Sequence, residues 1–110
     1  MSDASDPMCI LLSTFPNEET ARRIASTLVE ERHVACVNLL PGATSIYRWE
    51  GKVESAKEVM AILKTREASA TVAMARIKEL HPYEVPEIIQ IAVKDAHPAY
   101  LAWVNENCAR

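Results

Sequence analysis

Apolar runs and amphipathic segments alternate along the chain, and each kind of segment predicts a different element. Residues 8–15 (MCILLSTF) are almost wholly apolar, which is typical of a strand that is buried on both faces. Asn17 follows Pro16 and is suited to cap a helix. The apolar residues of that helix recur at helical spacing: Ala21, Ile24, Ala25 and Leu28. We expect this helix to end near Arg32 or His33.

The middle of the chain predicts a β-hairpin with long arms. Residues 34–40 form a second apolar run, a Pro-Gly pair interrupts it, and the apolar pattern resumes over residues 44–49. After a compact turn at residues 50–52 comes a segment at residues 53–65, whose centre (VMAILKT) is strongly apolar. Each arm is about a dozen residues long or longer, whereas strands most often have about 5–6 residues. We therefore expect the arms to overhang the sheet, and their apolar tip to be covered by another copy of the chain.

The last third of the chain predicts a helix, an irregular loop, a strand and a C-terminal helix. Ser69 is suited to cap the first of these helices, and two prolines exclude a regular element from residues 81–87. Residues 88–93 form another apolar run, and Pro98 suits the first turn of the final helix. Without the final helix the order is β-α-β-β-α-β. This order predicts an α+β, ferredoxin-like fold, an antiparallel sheet with both helices on one face.

Composition indicates one ordinary domain and excludes several classes of function. The 110 residues are 49% apolar and 25% charged, with a formal net charge of −3. We expect residues 1–7 to be a disordered tail and residues 8–110 to be a single domain. A mildly acidic chain without a basic tract is a poor partner for nucleic acid. Only two glycines are present, which excludes the phosphate loop and the dinucleotide fingerprint.

The cysteines and the N-terminus indicate a reducing compartment. Three cysteines without a C-x-x-C pair support neither a disulfide framework nor a thiolate zinc site. The acidic N-terminus differs from a signal peptide, and no apolar run approaches the ~18 residues of a membrane span. We expect a cytoplasmic protein with no membrane partner. Cys9 and Cys36 are expected to be buried inside strands, and Cys108 to be exposed and oxidisable.

The irregular loop at residues 81–87 is the strongest candidate for a metal site. His81 begins this loop, and Tyr83, Glu84 and Glu87 lie close to it in sequence. An imidazole and carboxylates that converge on one loop can hold copper or zinc. A packed loop, whose polar groups satisfy backbone donors, is the alternative that the residues favour, because metal sites with a single histidine are uncommon.

The hairpin tip and Lys64 are a second candidate for a binding site, and the sequence does not support a catalytic site. Tyr47, Arg48 and Trp49 near the tip fit a small-molecule pocket, but such residues dominate contacts between proteins and favour an interface. Lys64 is either a solvated charge or an anion ligand in a cleft between subunits. The candidate nucleophiles are not paired with a histidine in the sequence: Ser13, Thr14 and Cys36. We expect no enzyme activity.

Several motifs resemble the CutA divalent-cation tolerance family. They are ACVNLLPGATSIYRWEGKV at 35–53, EVMAILKT at 58–65 and HPYEVPEII at 81–89. The likeness continues through STFPNEETA at 13–21 and YLAWV at 100–104. The resemblance implies a ferredoxin-like protomer in a tight homotrimer, with the hairpin arms packed between subunits. It also implies a role in tolerance to copper and other divalent cations.

The resemblance further implies a set of copper ligands, of which this chain keeps one. The family's copper binding has been attributed to a cysteine in the first strand and to a His-His pair before Pro-Tyr. Here Ser13 stands at the cysteine position, and Leu80-His81 stands at the pair. A substitute site formed by His81 with Glu84 or Glu87 would bind Cu(II) or another divalent cation weakly. No metal is expected to be required for folding.

The nitrogen-signalling PII proteins share the fold and the trimeric state, and they suggest an alternative function. In that alternative the protein is a trimeric regulator, and its ligand is a small metabolite in the cleft between subunits. The residues expected near that cleft are Tyr47, Trp49, Lys64, His81, Tyr83 and Glu87. If the protein binds a metal ion, binding should be lost in His81→Ala. If it binds a metabolite, binding should be independent of metal and sensitive to Lys64→Ala or Tyr47→Ala.

Overall fold

A computed structural model describes residues 4–109, and these residues form one antiparallel sheet with three α-helices. The sheet order is β2-β3-β1-β4, so β1 is central and β2 and β4 are the edges. The predicted β-α-β-β-α-β order with a final helix is therefore confirmed. The elements are β1 (Met8–Phe15), α1 (Glu18–Glu30), β2 (Cys36–Trp49), β3 (Lys52–Arg66), α2 (Ala70–Leu80), β4 (Ile88–Ala92) and α3 (Pro98–Asn107).

A side-chain cap marks the start of α1 but not the start of α2. Asn17 caps α1 as predicted, since its backbone is extended and its side-chain Oδ1 accepts a hydrogen bond from the Thr20 N–H at 2.8 Å. Ser69 occupies the cap position of α2, but its hydroxyl makes no capping bond. It donates to the Ala109 carbonyl at 3.4 Å instead. The prediction of a side-chain cap at Ser69 was wrong, because the C-terminal segment competes for the hydroxyl.

The core lies between α1, α2 and one face of the sheet. Residues directly opposite each other on neighbouring strands share a face, as Leu11 of β1 does with Leu63 of β3. These two side chains are fully buried, and they pack in one cluster with Ile24 and Leu28 of α1 and Ile77 of α2. Both helices therefore cover the same face, as expected for this fold.

The other face of the sheet is not covered by α1 or α2 and remains apolar. We call it the open face; on it Leu12 lies between Ile62 of β3 and Ile89 of β4. Ile89 and Ile91 of β4 and Leu40 of β2 are exposed in the protomer. An apolar sheet face of this kind is typical of a surface that contacts another protein chain.

The hairpin overhangs the sheet as predicted. β1 ends at Phe15, whose partner on β3 is Val59, so residues 43–58 extend past the central strand. The pairing changes from Leu40↔Met60 to Ala43↔Glu58, which places a bulge at the Pro-Gly pair. Gly42 has φ +80, a left-handed conformation that glycine adopts without strain. The two apolar runs of this arm are therefore one strand with a bulge.

The apolar residues of the overhang lie on both of its faces. Tyr47 is opposite Glu54 and Trp49 is opposite Lys52, whereas Ile46 is opposite Ser55. Because side chains alternate along a strand, Tyr47 and Trp49 share one face and Ile46 lies on the other. Ile46 is 73% exposed and Trp49 is 53% exposed, so both faces of the tip present apolar surface.

A buried arginine joins the end of β3 to α3 and to the N-terminal segment. The Arg66 guanidinium donates through Nε to Asn105 Oδ1 at 3.1 Å and through Nη1 to the Ala109 carbonyl at 3.2 Å. Asn105 Nδ2 in turn donates to the carbonyls of Ala4 and Asp6. The described part of the predicted tail is therefore held against the domain. Residues 1–3 lie outside the described residues, and the division into tail and domain stays a prediction.

Two of the three cysteines differ from expectation. Cys108 is only 1% exposed, and its Sγ lies 3.5 Å from the Thr65 hydroxyl, so the expectation of an exposed, oxidisable thiol was wrong. Cys36 is half-buried rather than buried, because it lies on the edge strand. Cys9 is buried as predicted, and burial raises the pKa of its thiol to about 11.

We expect Asn105→Ala to lower the free energy of unfolding by about 3 kcal/mol, because the substitution leaves a buried guanidinium without one of its acceptors. Urea unfolding at one fixed protein concentration measures the change. Asn107→Ala is the matched control, since Asn107 is on the same helix and its Nδ2 donates to the Trp103 carbonyl one turn earlier. Equal decreases in the free energy of unfolding of the two variants would contradict a special role for the Arg66–Asn105 contact.

Candidate functional site

The candidate site lies where three segments meet: the end of β1, the loop that follows α2, and the root of the hairpin. His81 caps the C-terminus of α2 with extended backbone and begins the loop at residues 81–87. Ser13 and Thr14 are the last polar residues of β1, and Glu58 lies on β3 just beyond the end of β1. The chain order separates these groups, and strand pairing brings them together.

The His81 ring is buried and uses both of its nitrogens. It is 8% exposed, its Nε2 donates to the Thr14 carbonyl at 2.7 Å, and its Nδ1 accepts from the Tyr83 N–H at 3.1 Å. The ring stacks on Phe15 with centroids 4.9 Å apart, and Tyr83 packs against it at 4.8 Å. These partners require a neutral imidazole with its proton on Nε2.

The surroundings of His81 favour that neutral form. Burial lowers the pKa of the imidazole below its usual 6.5, and this effect outweighs the Thr14 carbonyl and the Glu58 carboxylate, which raise it. The positive charge of Lys78 lowers it further. At pH 7 the ring is therefore uncharged, the state in which imidazole can bind a metal ion.

Tyr83 connects the loop to the hairpin. Its hydroxyl donates to Glu58 Oε2 at 2.9 Å. Burial raises the pKa of Tyr83 to about 12, and the Glu58 carboxylate and the neighbouring Tyr47 raise it as well. The phenol is therefore protonated and remains a donor over the whole physiological range.

The far end of the loop is anchored by Ser13. The Ser13 side chain is fully buried, and its hydroxyl donates to the Glu87 carbonyl at 2.7 Å. Together with the His81 contacts, this bond fixes the loop at both ends against β1. Of the polar side chains of the loop, His81 satisfies a backbone donor, the Tyr83 N–H, whereas Glu84 and Glu87 are exposed; the choice between a packed loop and a metal site stays a prediction.

The predicted metal ligands are not gathered around one point. Glu84 and Glu87 are exposed, Leu80 packs against the core cluster, and the Ser13 hydroxyl is bonded to a backbone carbonyl. Within residues 4–109, no three histidine, cysteine, aspartate or glutamate side chains are grouped so that they could hold a metal ion. A cation at His81 would have to displace the Tyr83 N–H from Nδ1.

The predicted cleft residues fall into two separate regions of the protomer. Tyr47 lies near enough to Tyr83 to affect its pKa, and Trp49 lies two residues further towards the tip. Lys64 lies six residues from Glu58 along β3, which corresponds to about 20 Å in an extended strand. One protomer therefore brings Tyr47 and Tyr83 together but leaves Lys64 apart from them.

Glu58 is the site residue that the sequence analysis missed. It immediately precedes the apolar run at residues 59–63 and lies on the open face, opposite Ala43. Because Lys57 and Glu54 are also charged, the sequence around Glu58 gives no signal that sets it apart. Identifying Tyr83 as its partner requires the strand pairing, since the two residues are 25 positions apart.

Residues 9–107 match the model of the CutA1 divalent ion tolerance protein family. The chain belongs to this family. Its relatives include the divalent-cation tolerance protein CutA of Pyrococcus horikoshii, 50% identical over 99 residues, 90% of this chain and 96% of the relative. The CutA of Thermus thermophilus is 47% identical over 98 residues, 89% of this chain and 95% of the relative.

Solved CutA structures have the same fold as this chain. The crystal structure of CutA1 from Oryza sativa superimposes with a TM-score of 0.94 at 36% identity and covers 97% of this chain and 98% of its own. The CutA1 structure from Thermus thermophilus superimposes with a TM-score of 0.90 at 45% identity and covers 93% of this chain and 99% of its own.

CutA relatives occur in more than one compartment. One rice relative is named chloroplastic, and the CutA from Archaeoglobus fulgidus is described as periplasmic. In the part of this chain that the structure describes, none of the helices combines the length and apolar character needed to cross a bilayer.

We expect the stability of the protein to fall as the pH drops below about 6.5, with His81 as one cause. The unfolded state gains a proton on His81 near its usual pKa of 6.5, whereas the folded state resists that proton because burial lowers its pKa. The contribution of His81 is therefore complete above pH 6.5 and is lost as the pH falls towards the folded-state pKa. One proton limits the slope to about 1.4 kcal/mol per pH unit.

Urea unfolding between pH 7.5 and 5 tests this expectation in His81→Gln, whose unfolding free energy should depend less on pH than that of the wild type. His97→Gln is the control, since His97 is exposed at the start of α3 and its Nδ1 accepts from the Ala99 N–H. An unchanged slope in His81→Gln would show that the imidazole is not the group responsible.

Proposed function

We propose that this protein is a cytoplasmic, homotrimeric divalent-cation tolerance protein that takes part in the response to metal ions and binds Cu(II) weakly through His81. Membership of the CutA family carries the proposal, since the match covers residues 9–107 and the relatives bear that name. We propose no catalytic role. The Ser13 hydroxyl, one of the candidate nucleophiles, is engaged by the Glu87 carbonyl.

The surface of the protomer supports assembly with other copies. The open face exposes Leu40, Ile89 and Ile91, and the overhanging hairpin exposes Ile46 and Trp49. A lone protomer would leave both surfaces in water. Contacts between copies bury them, and the proposed number of three comes from the resemblance to the family.

The chemistry of His81 supports weak Cu(II) binding. The imidazole is neutral at pH 7, and Cu(II) is the divalent first-row ion that nitrogen ligands bind most strongly. Among residues 4–109, the partner of Nδ1 that a cation must displace is the Tyr83 N–H at 3.1 Å. Because that hydrogen bond is lost, and because Ser13 and Leu80 add no soft or imidazole ligand, we expect the affinity to be low.

A metabolite in a cleft between subunits is the less favoured function. Within one protomer Lys64 lies about 20 Å along β3 from the strand position that contacts Tyr83, so a site of this kind would need Lys64 from one copy and Tyr47 and Tyr83 from another. The names of the relatives refer to divalent cations. Binding of this kind would be independent of metal and would weaken in Lys64→Ala.

We expect sedimentation equilibrium to give a mass of three times 12.2 kDa for the wild type. Trp49→Ala should weaken assembly about 10- to 30-fold, because a half-exposed tryptophan at the hairpin tip fits an interface anchor. Its circular dichroism spectrum should remain that of the folded protein. Val72→Ala on α2, which also removes an exposed apolar side chain, should assemble like the wild type. A wild-type trimer in Trp49→Ala would contradict the interface role.

We expect a Cu(II) titration by calorimetry at pH 7 to show weak binding that disappears in His81→Ala. His97→Ala is the control for copper held by an exposed histidine, and it should retain the wild-type heat. Binding that is equal in the two variants, or absent from the wild type, would remove Cu(II) binding at His81 from the proposed function.

A further inference from the structure

Lys64 places a positive charge on an otherwise apolar part of the open face. Its partner on β1 is Ile10 and its partner on β2 is Cys36, and Ile91 of β4 lies opposite Ile10. The lysine is half-buried, and its ammonium donates to Asn38 Oδ1. This amide oxygen accepts a hydrogen bond, but it does not neutralise the charge.

The described part of the chain supplies no counter-charge to Lys64. Among residues 4–109, the Lys64 ammonium forms no ion pair with a carboxylate. Arg66 lies two residues further along β3 and therefore on the same face, and its guanidinium pairs with Asp6 at 3.5 Å. A half-buried ammonium without a counter-charge attracts an anion and repels a cation.

Helix α3 brings an aromatic surface to the start of β2. Its Tyr100 and Trp103 rings stack with centroids 5.7 Å apart, and the two residues are 38% and 41% exposed. Leu101, the neighbour of Tyr100, packs in one cluster with Ala35, which directly precedes Cys36. The exposed ring pair therefore lies beside the first residues of β2.

Cys36 connects the aromatic pair to the lysine. It lies opposite Lys64, and its Sγ is 3.9 Å from Asn38 Oδ1, the same atom that accepts from the lysine. Burial raises the pKa of Tyr100, and Cys36 raises it further through its charge and through a hydrogen bond. Tyr100, Cys36, Asn38 and Lys64 thus form one continuous group.

We propose that this group is a binding site for a small organic carboxylate, whose oxygens accept from the Lys64 ammonium and whose apolar body packs against Tyr100 and Trp103. The inference goes beyond the proposed function and does not depend on it, because the site uses no metal ion and no residue of the loop at residues 81–87. It also differs from a cleft between subunits, since all of its residues belong to one protomer.

The donors and the rings match two different parts of such a ligand. An ammonium group has three N–H donors, and one of them is used by Asn38, so two remain for the oxygens of a carboxylate. A single ammonium suits a singly charged carboxylate better than a doubly charged phosphate. Exposed, stacked rings offer a flat apolar surface on which an aromatic ring can pack.

Titration of the assembled protein with benzoate, followed by NMR, tests whether both parts are recognised. Benzamide has the same ring without the charge, and acetate has the charge without the ring. We expect each of them to bind at least about tenfold more weakly than benzoate, because each loses one of the two contacts. Benzamide that binds as tightly as benzoate would contradict recognition of the carboxylate.

Lys64→Met keeps the apolar stem of the side chain, removes the charge and should weaken benzoate binding at least about tenfold. Lys57→Met is the matched control, because Lys57 lies on the same strand and also donates to a neutral oxygen, the Thr44 hydroxyl at 2.8 Å. Lys57 is exposed, so its removal should leave the affinity within about twofold of the wild type. Equal losses in the two variants would reduce Lys64 to a general charge effect.

Trp103→Leu tests the aromatic part of the site and should weaken benzoate binding about fivefold. Tyr47→Ala is its control, since it removes an exposed ring near the hairpin tip and should bind benzoate like the wild type. The reverse pattern, a loss in Tyr47→Ala and none in Trp103→Leu, would place the carboxylate in a cleft between subunits and reject this site.

Alkylation of Cys36 gives a readout that does not depend on benzoate. Cys9 and Cys108 are 0% and 1% exposed, so Cys36 is the thiol that reagents reach in the native protein. Its thiolate attacks the CH₂ carbon of iodoacetate or of the neutral iodoacetamide, a C–S bond forms and iodide leaves. We expect Lys64→Met to lower the ratio of the iodoacetate rate to the iodoacetamide rate about fivefold, because the ammonium attracts only the carboxylate reagent.

The rate ratio removes any effect of Lys64 on the pKa of the thiol, since that effect acts on both reagents equally. Lys57→Met should leave the ratio unchanged. The same ratio in Lys64→Met and in the wild type would contradict the inference, and so would a Cys36 that neither reagent modifies in the assembled protein.

A carboxylate of another copy of the chain is the competing partner of Lys64. In that case the wild type would not bind benzoate, and sedimentation equilibrium would show weaker assembly of Lys64→Met. Absent benzoate binding with unchanged assembly would make Lys64 a solvated charge. Either result would overturn the site, and inorganic phosphate that displaces benzoate at equal concentration would overturn its assignment to carboxylates.

Discussion

The structure depends on the pairing of β1 between β3 and β4. This strand contributes Cys9, Leu11 and Phe15 to the core cluster on one face and Ile10 and Leu12 to the open face. Long β3 and short β4 pair with its two edges, and its residues on the open face, Ile10 and Leu12, are half-buried. Since β1 stops at Phe15 while β3 continues, the same pairing creates the overhang and places Glu58 at its root.

The end of β1 is also where polar groups of the strand become available to the loop. β1 pairs with β4 only as far as Ser13. The Thr14 carbonyl therefore accepts from the His81 Nε2–H, and the Ser13 hydroxyl donates to the Glu87 carbonyl. A neutral histidine is well suited to this position, because one nitrogen donates to β1 while the other accepts from the loop. Packing at this position therefore selects the neutral tautomer with its proton on Nε2.

The elements of this chain follow from local signals, and several site contacts do not. Asn17 marks the start of α1, and the paired prolines mark an irregular loop at residues 81–87, because caps and proline geometry act within a few residues. His81 was recognisable as the principal candidate for the same reason. The contact of Glu58 with Tyr83 and the burial of Cys108 against Thr65 were not predicted, because the residues of each pair are distant in sequence.

Periodicity and motifs were sufficient to predict the order of elements, the length of the hairpin arms and the family to which the chain belongs. The three-dimensional arrangement was needed to establish that both nitrogens of a neutral His81 are bonded, that the Tyr83 hydroxyl contacts Glu58 and that Lys64 lies apart from them. The physical reason is that protonation, burial and hydrogen-bond partners depend on strand register. Register is a property of pairs of distant segments, and no single segment contains it.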